Sequence, residues 1–518
     1  MIHGYRISLL LIVAMLLGIV TACAGSNGTE QTNEPSNTTG NKGEAVKENV
    51  TSESKEPQHI KIVVNNGSRK FPEGMDANSN PYLDYIESNT NLDIEVVTPP
   101  KEGYQEKVNV MMASGDLPDM IYSNDSAWLA NMVKQKALKP LNEAIDKAGS
   151  HLKAFIPEEA WKSVTFGGNI YAIPVINPVP GNEIMYIRKD WLDNVGMESP
   201  TTLEEYVDVM RAFAQNDPDQ NGKDDTMGLI VGENLGLTAP ITGAFGVQKG
   251  QWVERDGKLV YSSTLPEMKQ AIQFLAELYK EGLIDQEWAL NKYATVTEKI
   301  SSGKTGLFSA MWYDTRGPIK TSQQNDPDAE WVSAEFPIGP DGKQGTFGSS
   351  LIKGYNVVPT TSKHADGVVK MLDYLIDEGH RDMVLGFEGE VWTEKEGKVE
   401  TNFEEHNKHI YRLTLAELVG IPDDPVAFEK NDALGLEFKL SENIRKINQH
   451  KMHSLYLGAP TPGMAKYGDK LKTLEETVFA TIVMGKKPID AFDQFVKEWN
   501  EQGGSEITDE VNAWYKSQ

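Results

Sequence analysis

The sequence predicts an α/β fold with a largely parallel sheet, and three short apolar runs separated by helical patterns carry that prediction. Ile60-Lys61-Ile62-Val63-Val64 reads as a mostly buried strand. Leu92, Ile94 and Val96 alternate with polar residues, which marks a second strand. Asp119-Met120-Ile121-Tyr122 is a short third. Between them, Pro81 to Asn89 forms a helix with Leu83, Tyr85 and Ile86, and Tyr104, Val108, Met111 and Met112 carry helical spacing. The order is βαβαβ, and helical crossovers are what parallel strands require. Ligands of such sheets sit beyond the carboxyl ends of the strands, where Ser123, Asn124, Asp125 and Trp128 fall.

Further along, Thr202-Leu203-Glu204-Glu205 is a capping box. Leu203, Tyr206, Val207, Met210 and Phe213 then line one helical face. Thr473 to Met484 reads as a helix stopped by Gly485, and Pro488 opens another that carries Phe492, Phe495, Val496 and Trp499. No repeat of about 20–50 residues is present, which excludes a solenoid.

The chain has 518 residues. One domain usually holds about 50–250, so at least two are expected. The formal charge of −26 disfavours nucleic acid and an anionic membrane surface as partners. A single cysteine excludes an intrachain disulfide, a CxxC pair and a cysteine zinc site.

That cysteine has a context. Ile7 to Val20 is an apolar run of signal-peptide length, too short for a comfortable membrane span. The small residues Thr21 and Ala22 precede Cys23, as in a bacterial lipobox. Residues 24–57 are nearly free of apolar side chains and read as a flexible tether, spanning about 30 Å on average.

Several catalytic motifs fail. Ser302-Gly303-Lys304-Thr305 has the tail of a phosphate-binding loop, but Glu298 stands where the motif needs glycine. There is no HExxH and no GxSxG. The strongest chemical signal is acidic. Asp217, Asp219 and Asn221 fall at positions 1, 3 and 5 of a calcium loop, with Gly222 at the turn. Lys223 would offer its backbone carbonyl and Asp225 would follow at position 9. Gly228 stands where an EF-hand has its bidentate glutamate.

Together, several stretches resemble one family. They are the lipobox at Cys23, Met112-Ala113-Ser114-Gly115-Asp116-Leu117-Pro118-Asp119, Asn169-Ile170-Tyr171-Ala172-Ile173-Pro174, Ile187-Arg188-Lys189-Asp190-Trp191-Leu192, Pro200-Thr201-Thr202-Leu203-Glu204-Glu205, and the acidic loop. In this order they resemble the family 1 extracellular solute-binding proteins of ABC sugar importers, and are most similar to the alginate-oligosaccharide-binding lipoproteins. The resemblance implies a two-lobed periplasmic-binding-protein-like fold of type II, with a multi-strand hinge and sugar in the cleft. It implies crossings between lobes near residues 175–185, 338–350 and 384–392. It also implies a signal peptide over 1–22 and a tether over 23–57. The first lobe would hold 58–180 plus 345–386, and the second 181–344 plus 387–518. A structural calcium in the acidic loop, diacylation of Cys23, a monomer on the outer face of the membrane and ABC permease subunits as partners follow from the same resemblance. Thr226 stands where such relatives often carry an acid.

A pyranose needs flat aromatic surfaces and planar hydrogen-bonding groups. Trp312 follows the apolar run Gly306 to Ala310, and Trp392 lies at the third expected crossing. Both read as stacking residues, with Trp128, Tyr186 and Tyr355 as further candidates. Asn124, Asp125, Arg188 and Asp314 read as hydroxyl partners, Arg188 equally as a member of a structural ion pair. The chain thus reads as a receptor without catalysis. A surface-anchored carbohydrate-active hydrolase would explain the anchor, the aromatics and the acids as well.

Overall fold

A computed structural model describes residues 56–516, except Asp116, Pro180 and Asn182. The features expected over residues 1–55, Cys23 among them, lie outside the described residues. Eight strands organise the body: β1 (Gln58–Val63), β2 (Leu92–Val97), β3 (Met120–Ser123), β4 (Ile173–Ile176), β5 (Glu183–Arg188), β6 (Leu307–Met311), β7 (Trp331–Ala334) and β8 (Ile352–Val357). They form two sheets.

The first sheet runs β2-β1-β3-β8-β4. β1 is parallel to both β2 and β3, with Ile60 beside Ile94 and Ile62 beside Val96 and Met120. β8 enters antiparallel between β3 and β4. The helices expected between the first strands are present as α1 (Pro81–Thr90) and α2 (Tyr104–Ser114). Asn80 caps α1 by accepting the Leu83 N–H, and Pro81 follows as its first residue, where its missing N–H costs nothing. α3 (Ser126–Lys134) starts directly beyond β3. The apolar faces of these elements close one core around Ile60, Ile62, Tyr82, Ile86, Val108 and Ile121.

The second sheet is the antiparallel set β6-β5-β7. One side packs on a second core that holds Trp191, Phe213, Phe479, Phe492 and Trp499. A smaller cluster on Tyr186, Phe308, Phe336 and Ile447 fills the other side. The capping box is present: α4 (Leu203–Gln215) begins with Thr202 and Glu205 exchanging both bonds. Expected from Thr473, the long helix begins eleven residues earlier, at Pro462, capped by Thr461. Its first turns are mostly polar, so apolar periodicity did not reveal them.

The chain passes between the sheets from β4 to β5 and again from β7 to β8, close to the first two expected crossings. The third lies elsewhere. Tyr411, Leu415, Leu418 and Val419 are buried in the first core. Tyr82 holds this stretch there, stacked on Phe387 at 4.3 Å and edge-on to Tyr411 at 5.8 Å. The boundary expected at residues 386/387 is therefore corrected: the chain is still in the first lobe at Val419. It joins the Tyr186 cluster only at Ile447, in the helix Leu440–His450. Directly after that helix, Lys451–Met452 pairs with Thr346–Phe347.

The passages touch one another closely. Gly181 bridges Gly348, whose N–H donates to the Met452 carbonyl at 2.7 Å. A Cβ on Gly348 would lie 2.8 Å from that same carbonyl oxygen, so only glycine lets the strands meet there. Among the described residues, no helix is long and apolar enough to cross a membrane.

Candidate ligand-binding site

A cavity of about 330 Å³ opens where the two lobes meet. Lys353 on β8 and the turn Glu417–Ile421 line it from the first lobe. Two further helices contribute, α5 (His380–Leu385) with His380 and α6 (Pro425–Asp432) with Phe428 and Lys430. Trp312, just beyond β6, closes it from the second lobe. Larger hollows of about 840 and 830 Å³ exist, but they lie beside α4 and beside the hairpin at 392–401. Neither is lined from both lobes, so the smaller cavity is the better candidate.

Trp312 is half-buried and held by its backbone. Its carbonyl accepts from the Tyr186 hydroxyl at 3.2 Å and from Asn443 Nδ2 at 3.1 Å. Its ring stands edge-on to Tyr313 at 5.2 Å. A fixed, partly open indole at a cavity wall is a surface on which a sugar's C–H face can stack.

Both carboxylates that line the cavity are already engaged. Glu417 accepts from Arg69 at 2.7 Å. Asp424 lies 2.8 Å from His380 Nε2 and accepts the Val426 N–H, which caps α6. The lysines differ. Burial pushes Lys430 down to about 8, helped by Arg412 and Arg69 and opposed by Glu417 and Asp424. Burial also lowers Lys353, against the pull of Glu417.

Of the residues singled out from sequence, only Trp312 lines this cavity. Trp392 is 4% exposed, donates from Nε1 to the Gly386 carbonyl at 2.7 Å, and lies under the Arg381 guanidinium at 4.8 Å. It packs with Leu385 and Val391. Trp128 is buried in the first core and donates to Asn109. Tyr186 is buried and anchors the backbone at Met311 and Trp312. Tyr355 is buried on β8 beside Ser123 of β3. Asp125 caps α3 through the Ala127 and Trp128 N–H groups, and Asn124 is exposed. Arg188 is 3% exposed, forked onto Asp190 at 2.7 and 2.5 Å and bonded to Asp326 at 2.9 Å. Its guanidinium lies between Trp191 and Trp331, the arrangement of a structural ion pair. Asp314 is buried and accepts the Met311 N–H; burial raises its carboxyl.

Lys353 and Lys430 were missed. A lysine inside the largely buried strand Ile352–Val357 was a readable signal for the first. Nothing local marks the second.

The acidic loop is assembled around Asn221. Asp217 accepts the Asn221 and Gly222 N–H groups at 3.0 Å each. Asn221 Nδ2 donates to Asp219 at 2.7 Å and to Asp225 at 3.2 Å. The carboxylates of 217, 219 and 225 are near enough to raise Asp219, after burial as the larger cause. Lys304 reaches Asp225 at 2.5 Å and holds its carboxyl below the ordinary range. Thr226 turns away and donates to the Phe213 carbonyl. The donors here are oxygens, the type a hard cation takes; Asp217, Asp219, Asn221, Asp225 and the Lys223 carbonyl are the candidates to hold one. Elsewhere, Glu390, Glu405 and His409 bring ligand atoms within 4.8 Å of one another. That group contains a nitrogen donor and only two carboxylates, which suits calcium less well.

Residues 71–381, more than half of the chain, match the bacterial extracellular solute-binding protein family. The chain belongs to that family, whose members are solute-binding proteins and not enzymes. The hydrolase alternative is thereby removed. The chain is 28% identical over 466 residues to Lipoprotein LipO of Bacillus subtilis, covering 85% of this chain and 90% of that one. It is 25% identical over 446 residues to the polygalacturonan/rhamnogalacturonan-binding protein YtcQ of the same species, covering 83% and 87%. An extracellular solute-binding protein from Bifidobacterium longum subsp. infantis has a similar fold, with TM-score 0.67 at 20% identity over 89% of this chain and 98% of that one. So does the Streptococcus pneumoniae substrate-binding protein FusA, solved as an EF-hand mutant with fructo-nystose, with TM-score 0.59 at 19% identity over 89% and 99%. These likenesses agree with the two-lobed type II architecture.

Proposed function

We propose that this chain captures an oligosaccharide between its two lobes and hands it to an ABC importer in the membrane. The observation that carries the reading is the cavity at the junction of the lobes, walled by Trp312 on one side and by β8 and the Glu417–Ile421 turn on the other. A ligand touching both walls stabilises whichever lobe arrangement fits it better, and closure is then a population shift about the three passages. The polygalacturonan/rhamnogalacturonan-binding relative supports a sugar as the solute. The body would be held as a monomer outside the cell by a lipid on Cys23, a reading supported by a relative named as a lipoprotein. The expected lobes are kept, with the second boundary moved beyond Val419.

The acidic loop would hold one structural calcium. The gathering of Asp217, Asp219 and Asp225 about Asn221 supports this, as does the EF-hand named for the FusA structure. Bound there, calcium would offset two of the three carboxylate charges and tie the end of α4 to the segment before Met227. Incubation with mixed oligosaccharides, followed by chromatography and calorimetry, tests the function. Binding without cleavage is expected. Cleavage, or no binding to any of them, contradicts it.

A further inference from the structure

The chain carries a formal charge of −26, yet the wall of its interlobe cavity carries two lysines beside two carboxylates that are already bonded elsewhere. Each carboxylate on the wall has its own partner, Arg69 for Glu417 and His380 for Asp424. Arg412, buried beside the cavity, turns its two terminal nitrogens to the carbonyls of His409, Val384 and Leu385. Two half-buried ammonium groups remain, those of Lys353 and Lys430. Neither has a hydrogen bond or ion pair among the described residues. Holding a cation partly out of water without a partner costs free energy, and an anionic ligand group would offset it. A neutral hydroxyl recovers less, because charge-assisted hydrogen bonds are roughly twice as strong as neutral ones.

We propose that the oligosaccharide taken by this cavity is acidic, and that Lys353 and Lys430 receive a sugar carboxylate while Trp312 stacks on a ring. This rests on the cavity being the sugar site. The groups around Lys430 are Arg412, Arg69, Glu417, Asp424 and His406, with His380 on the neighbouring helix. A carboxylate placed among them raises Lys430, so the complex holds a proton that the free protein shares with water near pH 8.

The test is calorimetry on the full chain with uronate oligosaccharides from polygalacturonate and from alginate. Each is run beside its carboxyl-reduced counterpart, which keeps the linkage and loses the charge. At least one acidic oligosaccharide should bind on the order of tenfold or more tighter than its reduced partner. At pH 8 its binding should take up about half a proton, read from buffers of different ionisation enthalpy. Lys430→Met should remove that uptake, and Lys353→Met should weaken acidic binding on the order of tenfold. Reduced sugars binding as tightly as the acidic ones would overturn the inference and leave the sugar reading standing. Lysine variants that bind the acid like the parent would do the same. Binding of neither kind would overturn both.

Discussion

In the interlobe cavity the carboxylates are engaged and the ammonium groups are not; in the 217–225 loop the balance is reversed. Glu417 and Asp424 have Arg69 and His380, whereas Lys353 and Lys430 face open space. In the loop, Asp217, Asp219 and Asp225 share Asn221 and backbone N–H groups, and Lys304 is the one cation bonded to them among the described residues. The difference teaches what each site asks for. A charge already met by a neighbour belongs to the architecture, while like charges gathered without counter-charge mark a place for a ligand of the opposite sign. The cavity asks for something anionic and exchangeable. The loop asks for a small cation that can stay.

Substitutions can break this contrast. The largest effect is expected outside both sites, at Trp392. It is buried and bonded to Gly386, so Trp392→Ala should cost about 3–5 kcal/mol of stability in denaturant unfolding and leave sugar affinity near that of the parent. Calcium comes next. At a hundredfold excess over its dissociation constant it should stabilise the chain by about 2.7 kcal/mol, and a chelator should reverse this. Asp217→Ala with Asp219→Ala should abolish the response; an identical melting curve with and without calcium would remove calcium from the loop. Trp312→Ala should fold, keep that response and lose about 1–3 kcal/mol of sugar binding. The smallest effect is Lys304→Met, an exposed contact worth no more than about 1 kcal/mol. It should tighten calcium binding by freeing Asp225, and unchanged calcium affinity would show that Lys304 does not compete.

Much of the fold was legible because it repeats with a period. The alternation in β2, the helical spacing of α1 and α2 and the capping box at Thr202 each report local geometry, and each stands where the sequence placed it. The third crossing was not legible. A short, mostly apolar stretch such as Tyr411 to Val419 must be buried, but nothing local says in which core. The site was less legible for the same reason. Arg188 showed Asp190 two residues away and hid Asp326, which lies 138 residues on. Trp392 sat beside glycines and acids, as an exposed ligand contact would, and turned its indole N–H to the Gly386 carbonyl. Lys430 acquires its meaning only from Arg412, Glu417 and Arg69, which the fold brings to it.

The measurement that bears most directly on the central claim is calorimetric titration of the full chain and its Trp312→Ala and Trp392→Ala variants with an oligosaccharide panel. The parent and Trp392→Ala should bind a common sugar with similar affinity when the latter is kept below its lowered melting point. Trp312→Ala should bind that sugar about five- to a hundredfold more weakly. Equal binding by Trp312→Ala and the parent would contradict the account and place the ligand somewhere other than the junction of the lobes.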